Sequence, residues 1–245
     1  MLGVIFKHAK TSGHLDGPSP IVDAKIPKAA SPGQPTHAYT PQEIVAMLEA
    51  LDGIPKLAVG VMFFSGLRPS EARALKWTDY DAKTKTFHIQ RSMWRGFTSE
   101  CKTKSSVGTV PVPQVLVDLL DATPKISEYM LTSAVGRPVD LHNFASRVIR
   151  PALAKCAVCR EEKHKANGHE YRPVVEWRGF YALRRGCATL ATSLDSALAA
   201  KGFLRHSNIA TTSQYYIKDV SEDTARAAQK IDALFARPAA DARAN

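Results

Sequence analysis

The stretch that most constrains the fold is KLAVGVMFF at 56–64, followed directly by SGLRPSE at 65–71. A helix that is apolar on nearly every side has no face to give to water, so it belongs in an interior. Gly66 can end that helix, and Pro69-Ser70-Glu71 can open the next, because proline suits a first helical turn. Arg68 therefore sits at a junction between two buried helices, where an unpaired charge is costly. Two partners for it stay open: an internal carboxylate, Glu71 or Asp79, or an external phosphate beside a helix start.

Composition narrows the partner. The 245 residues are 44% hydrophobic, enough for a sizeable core, and Lys+Arg outnumber Asp+Glu by 33 to 23. A net charge of +10 and a pI near 9.5 favour a polyanion, with nucleic acid ahead of a membrane. A generally basic soluble protein is the other reading of the same numbers. No run reaches the roughly 18 apolar residues that a membrane span requires. The opening MLGVIFKHAK meets charge too soon for a secretory signal. Four cysteines, two of them as Cys156-x-x-Cys159, make no disulfide framework and suit a reducing cytoplasm.

Residues 1–37 read as the tail of a helix followed by a proline-rich linker, which leads us to expect a preceding domain outside this sequence. Thr40, Pro41 and Glu43 then form a capping box ahead of the stripe Ile44, Met47, Leu48 and Leu51. After Trp77 the period changes. Asp79-Tyr80-Asp81 reads as a turn, and TFHIQRS, MWRGFTS and GTVPVP as three strands. Glu100 to Ser106 forms a polar hairpin tip whose Lys102 and Lys104 are either solvated charge or a source of a general acid. VLVDLLDAT and residues 140–156, capped by Asp140, read as helices. The expected fold class is mainly α with a small antiparallel three-stranded sheet. Residues 38–236 form the main domain, an insertion lies at about 155–173, and 237–245 form a flexible tail.

The chemistry concentrates between Tyr181 and Tyr216. Arg184 and Arg185 stand in a helix, His206 follows in LRHSN, and the stretch ends at Tyr215 and Tyr216. A guanidinium fork, an imidazole and a phenol suit a phosphodiester: the first grips two oxygens, the second moves a proton, and the third can attack phosphorus.

SGLRPSEARALKW, CKTKSSVGTVPVP, ALRRGCATLAT and LRHSNIATTSQYY together resemble the catalytic domain of the tyrosine recombinases, the phage integrase family, over roughly residues 38–225. The resemblance implies catalytic roles for Arg68, Lys102, Arg184, His206 and Tyr215, with Glu71, Tyr181 and Lys104 in support. It implies a site-specific recombinase or integrase of a mobile element, cutting and rejoining DNA through a 3′-phosphotyrosyl link. No metal or nucleotide cofactor is required for that chemistry. It further implies double-stranded DNA as partner, a homotetramer on DNA, and a bacterial, nucleoid-associated cytoplasmic location. The C-terminal helix KDVSEDTARAAQKIDALF, with Ala225, Ile231 and Leu234 as apolar anchors, would dock onto a neighbouring protomer.

Three departures accompany the resemblance. Tyr181 stands where the family has histidine, and a phenol with a pKa of about 10 is a poor base; it also reads as a packing aromatic. The link SLDSALAAKGF is short and could misplace His206 relative to Arg184. Gly108 stands where a basic residue often follows the lysine hairpin. With the expected absence of an N-terminal DNA clamp, these features keep two further readings in view: a truncated, catalytically impaired DNA-binding remnant, and a topoisomerase-like enzyme that reseals without exchange. Outside the family pattern, Cys156, Cys159, His164 and His169 are spaced C-x2-C-x4-H-x4-H. They read either as a structural zinc site or as free thiols beside solvated histidines.

Overall fold

The computed structural model describes residues 2–21, 36–94, 96–100, 107–161, 164, 168–205 and 222–235. The chain divides into two compact units, 1–36 and 37–245. In the first, helix α1 (Leu2–Thr11) is followed by turns that bring Ile21 against Gly3, while Val4 and Ile5 stay exposed.

The second unit is built around α3 (Gly53–Phe64), whose residues from Leu57 to Phe64 are all buried. Gly66 adopts φ +61°, a left-handed conformation that glycine reaches without a Cβ clash, and it closes the helix as expected. Before α3 comes α2 (Pro41–Ala50). The Glu43 carboxylate accepts the Thr40 N–H at 2.8 Å, and the Thr40 hydroxyl accepts the Glu43 N–H at 3.2 Å. Helix α4 (Pro69–Ala74) follows the Arg68 junction, and a 3₁₀ turn at Trp77–Asp79 leads into the strands.

The sheet differs from expectation in its membership. Three antiparallel strands are present, in the order β1 (Tyr80–Asp81), β2 (Thr86–Ile89), β5 (Gly108–Pro111), with Phe87 opposite Val110. The segment MWRGFTS does not join them. It supplies the turn and the second strand of a separate hairpin, β3 (Arg91–Trp94) with β4 (Phe97–Glu100), inserted between β2 and β5. Arg91 anchors this hairpin through Nη2, which donates to both oxygens of buried Asp79 at 2.5 and 2.6 Å. Asp79 is thereby occupied and does not serve Arg68.

Helix α5 (Gln114–Asp121) packs on α3. The expected helix over 140–156 is a composite of α6 (Leu141–Phe144), a π turn at Ala145–Ile149 and α7 (Arg150–Leu153). Pro151 has no N–H to donate and its ring crowds the preceding turn, so the wider π turn accommodates it. The two longest helices of the second unit complete the core, α8 (Phe180–Leu194) and α10 (Glu222–Phe235), with α9 (Ala197–Leu204) between them.

The final helix corrects an expectation. Its buried face is Thr224, Ala227, Ala228 and Ile231, with Phe235 stacked edge-on against Phe63 and Phe64, whereas Leu234 is half exposed and Ala225 only partly covered. Of the three expected anchors Ile231 is buried as read, while Ala225 and Leu234 flank the buried face. A Cβ at Gly202 of α9 would fall 1.9 Å from Thr224 Oγ1, so these two helices touch backbone to side chain.

Gly186 matters for the same reason in α8. A Cβ there would sit 2.5 Å from Tyr39 O and 2.8 Å from Phe63 Cε2. The strand 36–40 crosses α8 at this point, fixed by Arg185 Nε donating to His37 O at 2.6 Å. Gly186→Ala gains about 1 kcal/mol of helix propensity, but the clash is with backbone and costs about 1–3 kcal/mol. We expect a net lowering of Tm in thermal unfolding; an unchanged or raised Tm would contradict the close approach.

Candidate functional site

A buried carboxylate organises the site. Glu71 lies in the first turn of α4 and is almost fully covered. Its Oε2 accepts the Arg68 N–H at 2.8 Å and an Arg205 guanidinium N–H at 2.5 Å, while Oε1 accepts Arg68 Nη1 at 2.8 Å. Arg68 thus has the internal partner that its position requires, yet its side chain remains 34% exposed. It is held from behind and open in front.

Arg184 enters from α8, one turn past its start, and is buried. Its Nη1 donates to Gly66 O, and its Nη2 donates to Leu204 O at 2.6 Å. One guanidinium therefore ties the turn before α4 to the last residue of α9. Burial, then the neighbouring charge of Arg68, bring its pKa down to about 10, so it stays protonated at neutral pH. Arg185, its neighbour in sequence, faces the other way and latches strand 36–40. The arginine pair is one site residue and one structural residue.

Arg205 is the residue that sequence reasoning missed. It caps α9 in the left-handed conformation (φ 48°, ψ 47°), which costs a non-glycine residue about 1–2 kcal/mol. Its side chain is only 6% exposed and paired with Glu71. Its Nε and Nη1 are buried and have no hydrogen-bond partner among the described residues. The signal was available: a charge directly after the apolar Phe203-Leu204 at a helix end, much as Arg68 follows an apolar helix. Gly108 explains the fit, because a Cβ there would lie 3.1 Å from Arg205 Cδ. The space that a side chain at 108 would fill is taken by an arginine from α9.

Three guanidinium groups around one carboxylate leave an excess of positive charge, and such a cluster seeks an oxyanion. Tyr181 stands one turn before Arg184, but its ring is 58% exposed and its hydroxyl makes no hydrogen bond among the described residues. The link from α8 to α9 does not pull the elements apart, since Leu204 O is bonded to Arg184 itself. Lys102, Lys104, His206 and Tyr215 lie outside the described residues. Cys187, packed under Gly66, is pushed up to about 12 by burial and is an inert thiol at neutral pH. Away from this cluster, the sulfur and nitrogen atoms of Cys156, Cys159, His164 and His169 converge in the loop between α7 and α8.

The Glu71 carboxyl titrates in a way that can be checked. Burial pushes it up, but Arg205 and the Arg68 donors outweigh that and hold it below the usual 4.5. A lowered folded pKa gives stability that is complete above the unfolded value and is lost as pH falls through the folded one. Glu71→Ala is expected to lower the unfolding free energy at pH 7 by about 3–5 kcal/mol, the cost of orphaning a buried charge. In urea unfolding across pH 7 to 3, the gap between variant and wild type should narrow below about pH 4.5. A pH-independent gap would contradict the pairing.

The family model described as "Phage integrase family" matches residues 38–223. The chain is 25% identical over 270 aligned positions to a XerC-like tyrosine recombinase of Caldanaerobacter subterraneus subsp. tengcongensis, covering 96% of this chain and 64% of that protein. Among solved structures, the Tn1549 transposon integrase in complex with a circular intermediate DNA superposes with a TM-score of 0.63 at 20% identity, over 94% of this chain and 76% of that one. A lambda integrase dimer bound to a COC′ core site gives 0.52 at 17% identity, over 87% and 73%. The integrase of mycobacterium phage Brujita gives 0.56 at 16%, over 98% and 72%. These likenesses establish the fold, half helical with small antiparallel sheets, and no described helix is long and apolar enough to cross a membrane. The family match covers most of the chain: this protein belongs to the phage integrase family.

Proposed function

We propose that the chain is a site-specific DNA recombinase or integrase of a mobile element, acting on double-stranded DNA. The observation that supports it most is the pair Arg68 and Arg205 held on buried Glu71, with Arg184 bridging Gly66 O and Leu204 O and Arg68 open to an incoming phosphate. Arg68 and Arg184 neutralise charge that grows on the nonbridging oxygens as the scissile phosphate becomes pentacovalent. Arg205, next in sequence to His206, adds positive charge behind them. Tyr215 Oη attacks phosphorus, a P–O bond to tyrosine forms, and the bond to the 5′ oxygen breaks. Lys102 protonates that leaving oxygen, with Lys104 beside it in sequence, and His206 hydrogen-bonds the phosphate. The phenolic proton is released to water, consistent with the exposed Tyr181 in place of a histidine base. A 5′-hydroxyl from a second strand then reverses the step and frees Tyr215. The bond broken and the bond made are alike, so the chemistry needs no metal or nucleotide.

The assembly belongs to the same reading. Related structures include a lambda integrase tetramer bound to a Holliday junction, and four copies of this chain around two duplexes would bring four phosphates to four such clusters. The +10 net charge suits that partner. A bacterial cytoplasmic location follows from the substrate.

Duplexes selected by the protein from a random pool, then nicked so that the leaving strand diffuses away, test the proposal. Wild type and Tyr216→Phe should form a covalent protein–DNA adduct, and Tyr215→Phe should form none. Arg184→Ala should slow adduct formation by about 10²–10³-fold, the cost of one oxyanion donor. A retained gel shift without any adduct would point to a DNA-binding remnant. Relaxation of supercoils without exchange would point to a topoisomerase-like enzyme.

A further inference from the structure

The loop between α7 and α8 has no core of its own. Among the described residues from 157 to 173 none is fully buried, and Val158 and Tyr171 are exposed. Its two ends are stapled by a short antiparallel stem. Cys156 is opposite Pro173, Ala157 N–H donates to Arg172 O at 2.8 Å, and Val174 N–H donates to Lys155 O at 3.1 Å. A loop so poor in apolar contacts needs a further cross-link to hold one conformation.

Four side chains at the head of the stem supply the parts for one. The turn over 156–160 closes with Arg160 N–H donating to Cys156 O at 2.9 Å and Arg160 in the left-handed region at φ +61°. That turn brings Cys159 back beside Cys156. His169 Nε2 lies 3.4 Å from Cys156 Sγ, and His164 Nδ1 lies 3.6 Å from Cys159 Sγ. All four ligand atoms fall within 4.8 Å of one another.

We propose that Cys156, Cys159, His164 and His169 bind one Zn²⁺ in a closed, structural, tetrahedral site. The distances fit the ion. Zn–S bonds of about 2.3 Å and Zn–N bonds of about 2.0–2.1 Å, at a tetrahedral angle, set the sulfur–nitrogen edges at roughly 3.5 Å. The two observed edges straddle that value. The tautomer fits as well. His164 Nε2 is 3.2 Å from the carbonyl oxygen of His169. A carbonyl only accepts, so Nε2 carries the proton and Nδ1 presents its lone pair to the cluster, the usual orienting device for a ligating histidine. Two thiolates balance the ion's charge. Thiolate and imidazole in a four-ligand set select zinc over oxygen-preferring cations. With all four positions taken by protein, no open coordination site remains for catalysis.

The site serves the fold around α8. The return strand runs from His169 through Trp177, which packs against Tyr39 and Phe180, into the helix that carries Arg184. Fixing the loop restrains the path of that strand.

The full chain, purified under reducing conditions from zinc-containing medium, tests this. We expect close to one zinc per chain by elemental analysis and a lower Tm after chelator treatment, restored by added zinc. Replacement with Co²⁺ should give the visible bands of a tetrahedral site and a near-ultraviolet thiolate charge-transfer band. Cys159→Ser should lose metal and bands, whereas Cys101→Ser, not part of the C-x2-C-x4-H-x4-H spacing, should keep both. Should Cys159→Ser fail to fold, the wild-type cobalt spectrum decides alone. Substoichiometric metal with a Tm indifferent to chelator, or a cobalt complex without thiolate and tetrahedral bands, would overturn the proposal.

Discussion

A single buried carboxylate sets the terms for everything near the site. Glu71 lies where burial pushes its pKa up, and the groups that outweigh burial and hold it low are two guanidiniums far apart in sequence, Arg205 and Arg68. Without it, Arg68, Arg184 and Arg205 would repel one another in a medium too dry to screen them. With it, the cluster keeps a positive excess while the arginines stay aligned. Burying an ion pair is not by itself a net stabiliser. Its consequence here is geometric: Arg68 and Arg205, 137 residues apart by their numbers, share one acceptor.

The remaining architecture holds that arrangement in place. Helix α3, buried from Leu57 to Phe64, is the post against which α5, α8 and α10 lean, and Gly66 just past its end offers a carbonyl to Arg184. Gly186 lets strand 36–40 lie directly on α8, and Arg185 pins it there. Leu204 O closes the circuit from α9. The zinc proposal extends the same logic to the strand that leads into α8, by cross-linking a loop that hydrophobic contacts cannot hold.

Much of this was legible in the residues. The capping box at Thr40 and Glu43, the buried run 57–64 and the arginine stranded at its end are local patterns with local causes, and each appears as read. Strand pairing was harder, because alternation in MWRGFTS marks a strand without saying which neighbour it takes; the Arg91 to Asp79 ion pair that swings the hairpin aside is a contact across 12 positions. The buried face of α10 was read only in part. Ala225 and Leu234 share the helix with Ala227, Ala228 and Ile231, and contacts distant in sequence, Phe235 on the α3 aromatic pair and Thr224 on Gly202, select which side turns inward. Arg205 escaped notice because a left-handed arginine is improbable locally and is retained only by Glu71.

The claim that these guanidiniums exist to neutralise a phosphate has a direct chemical test. In a cleavage substrate whose scissile phosphate is replaced by a neutral methylphosphonate, the charge they answer is gone. The account predicts that Arg68→Ala and Arg184→Ala, impaired on the natural linkage, recover covalent adduct formation with Tyr215 on the neutral one. Variants that stay equally inactive on both linkages, while remaining folded and bound to DNA, would contradict it.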